Sequence, residues 1–375
     1  MLDGTRPVAP SGLDPGGSPP WCADICGEAD PLGLFIRREI MNRVLVTGAT
    51  GFIGGRLVTR NLEVGSRVRA LVRPENPMGP ELERRGAEVV YGDIRDAALI
   101  RRAAEGVDRV FHCAAVVTDW GPWRLFEEVT VRGTENVCRA ALESGVGRLV
   151  LVSTNDVFGL DESRVLDESC PMQPWKEPYP DAKILAEKLA WEYHRRDGLP
   201  VAMVYPCWVY GEGDRTFVPL VADAILKKEM VFWRRKAIVW PAYIENLMDI
   251  MMMVSEDERA VGNGYLVHDG QPVTFQDFCG RVAGALGAGR PTTHVPYAAA
   301  YAAAVAMQAL WKIFRVSKRP LLTTYSVKNL GSRLRFSIEK AGRELGWHPA
   351  VPFDQGFVRT MDWLKGLDPA TLKAK

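Results

Sequence analysis

Residues 43–54 read Arg-Val-Leu-Val-Thr-Gly-Ala-Thr-Gly-Phe-Ile-Gly, an apolar run that enters a turn with glycines at 48, 51 and 54. The pattern then becomes helical, from Phe52 through Leu57 and Val58 to Leu62. A strand that passes into a helix across such glycines brings backbone N–H groups to the positive end of the helix, where a pyrophosphate can sit. The spacing is GxxGxxG, so the turn is one residue longer than in the GxGxxG form. Gly48, Thr50, Gly51, Phe52, Ile53 and Gly54 are the candidate cradle.

Short apolar segments recur after this turn, at Val68–Val72, Val89–Tyr91, Arg109–Cys113, Arg148–Val152 and Val201–Tyr205. Amphipathic stretches separate them, at Ala97–Glu105, Phe126–Ser144 and Asp181–Arg196. This alternation predicts an α/β fold, a doubly wound parallel sheet of Rossmann type with its ligand crevice at the carboxyl ends of the strands. Beyond Gly211 the regularity falls away, and aromatics, prolines and basic residues mix. A helix at Ile244–Val254 and a strand at Gly264–Val267 return to the sheet. Residues 41–210 and 241–268 therefore read as a dinucleotide-binding domain. Residues 211–240 and 269–370 read as a smaller, discontinuous C-terminal substrate domain.

A formal net charge of +1 gives no nucleic-acid surface. The seven cysteines are scattered. Only Cys22 and Cys26 lie close, without the further Cys or His that a zinc site requires, so no metal is expected. A reducing cytoplasm is the natural setting. Residues 1–40 carry Pro7, Pro10, Pro15, Pro19 and Pro20 and lack periodicity or a signal-peptide pattern. They read as a disordered or spurious extension, with translation expected to begin at Met41.

Tyr179 and Lys183 stand four apart near the start of a helix, which places both on one face. A tyrosine with its ordinary pKa near 10 exchanges protons poorly at neutral pH. A neighbouring ammonium, and a cationic oxidised nicotinamide, would favour the phenolate and make it a usable acid/base. Tyr-x-x-x-Lys also arises by chance on many helices. Here Ser153-Thr154 ends the preceding strand, where a hydroxyl can hold a reacting oxygen, and the glycine turn lies upstream.

Taken with Gly-Asp-Ile-Arg-Asp (92–96), His-Cys-Ala-Ala (112–115), Val-Ser-Thr-Asn-Asp-Val-Phe-Gly (152–159) and Tyr-Pro-Asp-Ala-Lys (179–183), the chain resembles an extended short-chain dehydrogenase/reductase. Residues 177–188 and 335–347 are most similar to the 3β-hydroxysteroid dehydrogenase branch. The resemblance implies that Tyr179 is the general acid/base, that Lys183 holds the nicotinamide ribose and tunes Tyr179, and that Thr154 hydrogen-bonds the substrate oxygen. It implies that Asp93 and Ile94 border the adenine, that Ala114 and Ala115 line the cofactor, and that Pro206 adjoins it. It also implies a homodimer, for which Ile184, Leu185 and Leu189 offer an apolar flank. Two positions depart from the family pattern. Thr130 stands where an Asn is usual, which puts a relay anchored there in doubt. Tyr205 replaces an Arg, a change expected to alter packing more than chemistry.

An NAD site places a carboxylate at the end of the second strand to bind the ribose 2′-hydroxyl. Here Val72 is followed by Arg73, which could clasp a 2′-phosphate. NADP(H) is therefore favoured over NAD(H). The expected reaction interconverts a secondary alcohol and a ketone on a hydrophobic molecule, sterol-like or a long-chain 3-oxo acid. Nine aromatics are expected to crowd the mouth, about a third of them touching substrate: Trp120, Trp123, Phe126, Trp175, Trp208, Phe217, Phe232, Trp233 and Trp240. Asn155-Asp156 replaces the dehydratase acid/base pair, and an amide cannot cycle a proton, so water elimination is not expected. The alternatives are a sugar-nucleotide epimerase and a non-catalytic cofactor sensor. Residues 297–314 form an apolar helix followed by Arg315, Lys318 and Arg319. It could cover the cleft, rest on a membrane through 297–319, or span one.

Overall fold

The computed structural model describes residues 42–234 and 236–367. The segment 1–40, and the reading of it as an extension, lie outside the described residues. Seven parallel strands make the central sheet: β1 (Arg43–Thr47), β2 (Arg67–Val72), β3 (Glu88–Tyr91), β4 (Arg109–His112), β5 (Arg148–Val152), β6 (Val201–Pro206) and β7 (Gly264–Val267). Their order is β3-β2-β1-β4-β5-β6-β7. On β1, Val44 pairs with Val68 on one side and Arg109 on the other. The order therefore reverses between β1 and β4, which opens a crevice at their carboxyl ends.

Alternation along each strand sends neighbouring side chains to opposite faces. Val44 and Val46 of β1 join Val150 and Val152 of β5 in one core, packed by Leu57 and Val58 of α1 (Phe52–Glu63) and Leu247 and Met251 of α5 (Ile244–Glu256). Leu45, Leu149 and Leu151 face the other core. That core receives Ile100 of α2 (Ala97–Ala104), Val137 of α3 (Arg132–Glu143) and Ile184 of α4 (Pro178–Asp197). The first core continues into Phe278, Phe353, Phe357 and Met361, so the chain beyond 270 packs onto the sheet's apolar layer. A separate small core gathers Trp233, Ala300, Ala304 and Val327, from beneath α6 (Tyr297–Ile313) and α7 (Thr324–Asn329).

Two elements differ from expectation. The helix predicted from Phe126 begins at Trp123 and passes through a π-helical turn, Glu127–Val131, before α3. The helix carrying Tyr179 starts at Pro178 rather than Asp181, because Pro178 occupies the first helical position, where its missing N–H costs nothing. Ile184 is buried in the second core, so it cannot serve the outer flank of α4, where Leu185 alone of the three is exposed.

Candidate active site

The glycine turn is built so that side chains cannot enter it. Gly48 has φ +69°, and a Cβ there would stand 2.8 Å from the Ala114 nitrogen. A Cβ on Gly54 would meet the Gly48 carbonyl at 2.2 Å. Gly51 caps α1 without a side-chain bond, and the first turn of α1 holds no acid. Its free N–H groups and the helix dipole suit an anionic group, as a dinucleotide's pyrophosphate is. Thr50 accepts a 3.1 Å bond from Asn76 Nδ2, which ties this turn to the loop after β2. Phe52 and Ile53 are partly buried in the first turn of α1.

The other residues expected to line the cofactor ring the same strand ends. Arg73 is exposed directly after β2. Asp93 accepts from the Arg95 guanidinium at 2.8 and 2.9 Å. Those bonds, with a smaller pull from Arg73, hold its carboxyl below the usual range. Ile94 is buried against Gly133, and its carbonyl accepts from Asn136 Nδ2 at 3.0 Å. Ala114 and Ala115 follow β4, and the Ala114 N–H donates to Thr47 Oγ1 at 3.3 Å. Pro206 closes β6 as a buried residue. Thr130, at the position where an Asn is usual, accepts from the Val116 N–H at 3.1 Å and so anchors the loop after β4.

The candidate chemistry lies at the end of β5. Thr154 caps a short 3-10 turn, Asn155–Phe158, and faces Tyr179 on the first turn of α4. One helical turn further, Lys183 is buried and donates to the Val152 carbonyl at 2.7 Å. Burial pulls its ammonium down to about 8, against the opposing influence of Cys113 and Glu187. Glu187, another turn along, is buried behind the lysine. It accepts from Ser153 Oγ at 2.7 Å and from Tyr205 Oη at 2.6 Å. Tyr205 therefore does more than pack: its hydroxyl donates to this buried carboxylate.

The expectation of an acidified phenol is corrected by the structure. Burial pushes the Tyr179 phenol up, the Asp156 carboxylate pushes it further, and the Thr154 hydroxyl draws it back. Lys183, whose ammonium donates to the Val152 carbonyl, is not among the influences that set it. Asp156, set aside in the sequence as half of a broken pair, is buried beside the phenol. Burial raises its own pKa to about 6, and a hydrogen bond from Tyr325 opposes the rise.

Residues 319–328 close over this group. Arg319 grips the buried Asp119 through two bonds of 2.5 and 2.6 Å. Thr323 Oγ1 donates to the same carboxylate. Tyr325 Oη donates to Asp156, and Lys328 Nζ reaches Glu177 at 2.6 Å. Of the nine aromatics expected at the mouth, Phe126, Trp175, Phe232 and Trp233 are buried. Trp208 and Phe217 pack on the first core, and Trp240 donates to the Leu334 carbonyl. Trp120, after β4, is half-buried and Trp123 is exposed. Periodicity could not distinguish these fates, and neither Asp156 nor Tyr325 carried a sequence signal as part of the site.

The family described as NAD dependent epimerase/dehydratase matches residues 44–267. The chain is 30% identical over 344 residues to a 3 beta-hydroxysteroid dehydrogenase/Delta 5→4-isomerase of Mycobacterium tuberculosis, covering 87% of this chain and 91% of that protein. It is also 30% identical over 335 residues to a Stigmatella aurantiaca 4-hydroxy-2-methyl-3-oxo-4-farnesyl-3,4-dihydroquinoline-1-oxide ketoreductase, covering 88% and 97%. Among solved structures, a double mutant of the dTDP-glucose 4,6-dehydratase DesIV from Streptomyces venezuelae, with NAD bound, is similar at TM-score 0.72 and 27% identity. That match covers 88% of this chain and 100% of the other.

Proposed function

Because the chain belongs to the NAD dependent epimerase/dehydratase family, we propose that it interconverts a secondary alcohol and a ketone on a hydrophobic small molecule, with Tyr179 as the acid/base. The observation that carries this reading is Tyr179 beside Thr154 at the end of β5, with Lys183 buried one turn away. The names of the steroid and quinoline-ketone relatives support the apolar substrate class.

The uncapped start of α1 and the turn of Gly48, Gly51 and Gly54 would hold the dinucleotide's phosphates, with Asp93, Ile94, Ala114, Ala115 and Pro206 along its length. When bound, the nicotinamide supplies or accepts the hydride. Tyr179 Oη gives a proton to the substrate oxygen in reduction and takes it back in oxidation. Thr154 Oγ1 shares the charge that develops on that oxygen. Lys183, fixed by the Val152 carbonyl, holds the nicotinamide ribose. Asp93 is engaged by Arg95, and among the described residues Arg73 has no salt bridge, which supports NADP(H) over NAD(H). A ratio of kcat/KM values for NADPH and NADH below one would reverse that preference.

In the same reading, residues 211–240 and 269–370 form the substrate-binding domain. A homodimer would use the outer flank of α4 around Leu185, and sedimentation velocity tests it. Sugar-nucleotide chemistry is the second reading, favoured by the likeness to the dTDP-glucose dehydratase. Turnover of UDP- or dTDP-sugars in preference to ketosteroids and 3-oxo acids would establish it instead. The main test is Tyr179→Phe, assayed on a panel of sterols and 3-oxo acids. Turnover should fall by about 10²–10⁴-fold while cofactor binding persists, and full activity in the variant would refute the assignment.

A further inference from the structure

We propose that the outer face of α6, with the turn after it, docks flat on an anionic lipid bilayer. A helix on a protein surface ordinarily turns its polar residues to water. Helix α6 instead exposes an apolar face. Ala300 and Ala304 are its buried residues. Its exposed residues include Ala302, Val305, Ala306, Leu310 and Ile313, with Lys312 at one edge. At 3.6 residues per turn these fall on a single side. The apolar surface continues past the helix end: Ile313 is 71% exposed, Phe314 73% and Leu321 76%.

Charge selects the occupant. From Tyr297 to Leu321 there is no Asp or Glu. Arg319 is taken by Asp119. Lys312, Arg315 and Lys318 are exposed, and among the described residues none has an acidic partner. Apolar side chains flanked only by cations suit a layer whose acyl boundary takes the one and whose headgroups take the other. A second copy of this face would set the same cations against themselves. No helix among the described residues is long and apolar enough to cross a membrane, so α6 lies in the interface. The helix packs on α7, which carries Tyr325, so a bilayer on its outer side would adjoin the cover over Tyr179. This surface extends the reading of an apolar substrate by giving that substrate a source.

The test uses the full chain and phosphatidylcholine vesicles with and without phosphatidylglycerol, read by co-sedimentation. The wild type should pellet with the anionic vesicles and be released by salt. L310E/I313E should stay in the supernatant, and K312E/R315E/K318E, which leaves the apolar face intact, should bind about a hundredfold more weakly. Melting temperature and NADPH titration confirm that each variant is folded. Wild-type protein that remains in the supernatant overturns the proposal, as does undiminished binding by both variants. A dimer that L310E/I313E converts to monomer, without any vesicle binding by the wild type, would assign the face to a second copy and also overturn it. No turnover is measured, so a failed ketone assay and a failed vesicle assay are separate results.

Discussion

Tyr325 Oη donates a 2.7 Å hydrogen bond to Asp156 Oδ2, across 169 residues of sequence. Its ring meets Tyr179 edge-on, with centroids 6.0 Å apart. A residue from the C-terminal part of the chain therefore governs the carboxylate that raises the candidate catalytic phenol. Asp156 loses its proton near pH 6. Above that pH its charge holds the proton on Tyr179. Alcohol oxidation needs the phenol proton-free. In Asp156→Asn the acid limb of kcat/KM for oxidation should move to lower pH, and ketone reduction should fade earlier on the alkaline side. Profiles that superimpose on the wild type would disconnect Asp156 from Tyr179.

The glycine turn gives a prediction about binding. A Cβ at Gly54 overlaps the Gly48 carbonyl, which is backbone and cannot rotate aside. Gly54→Ala should displace Gly48 and open the first turn of α1. Dinucleotide affinity should fall by about tenfold or more, equivalent to roughly 1.4 kcal/mol, with a lower melting temperature. Gly65→Ala is the control. Gly65 has φ +81° but nothing within 4 Å of its Cβ, so that variant should lose stability through backbone strain alone and keep its affinity. Fluorescence titration with NADPH distinguishes the two.

The sheet was legible in the sequence because burial on both faces leaves short, uniform apolar runs. Arg148–Val152 and Gly264–Val267 have the predicted ends. Tyr179 and Lys183 were legible because the period of a helix fixes which residues share a face. Asp156 and Tyr325 were not, since only tertiary packing brings positions so distant together. Which aromatics are core was not legible, for a related reason. Phe126 and Trp233 read like mouth residues, but the period does not say which neighbour a ring will meet, and both are core. The phenol's pKa was misjudged because charge was weighed and desolvation was not. Inside the fold, burial and the Asp156 carboxylate raise the phenol, and Lys183 donates to the Val152 carbonyl.

His112 supplies a prediction about acid stability. Its ring lies between Thr47 Oγ1 at 2.7 Å and Thr134 Oγ1 at 2.9 Å, at the base of the crevice between β1 and β4. Burial pulls its pKa from 6.5 down to about 3, and Lys183 adds to the pull. Between those values the unfolded chain holds a proton that the folded chain lacks, so lowering the pH favours unfolding. The opposite sign applies to Asp156 and Asp269, both raised to about 6, so the wild-type curve sums several groups. A difference between variants isolates the histidine. His112→Asn should be less stable than wild type at pH 7, through the loss of its hydrogen bonds. The gap should shrink by about 3 kcal/mol between pH 6.5 and 4, as the wild type alone loses the advantage of a neutral ring. Urea melts at stepped pH measure this directly. A gap that stays constant across the range would mean that His112 keeps its proton in the fold, with Thr47 and Thr134 both accepting from it.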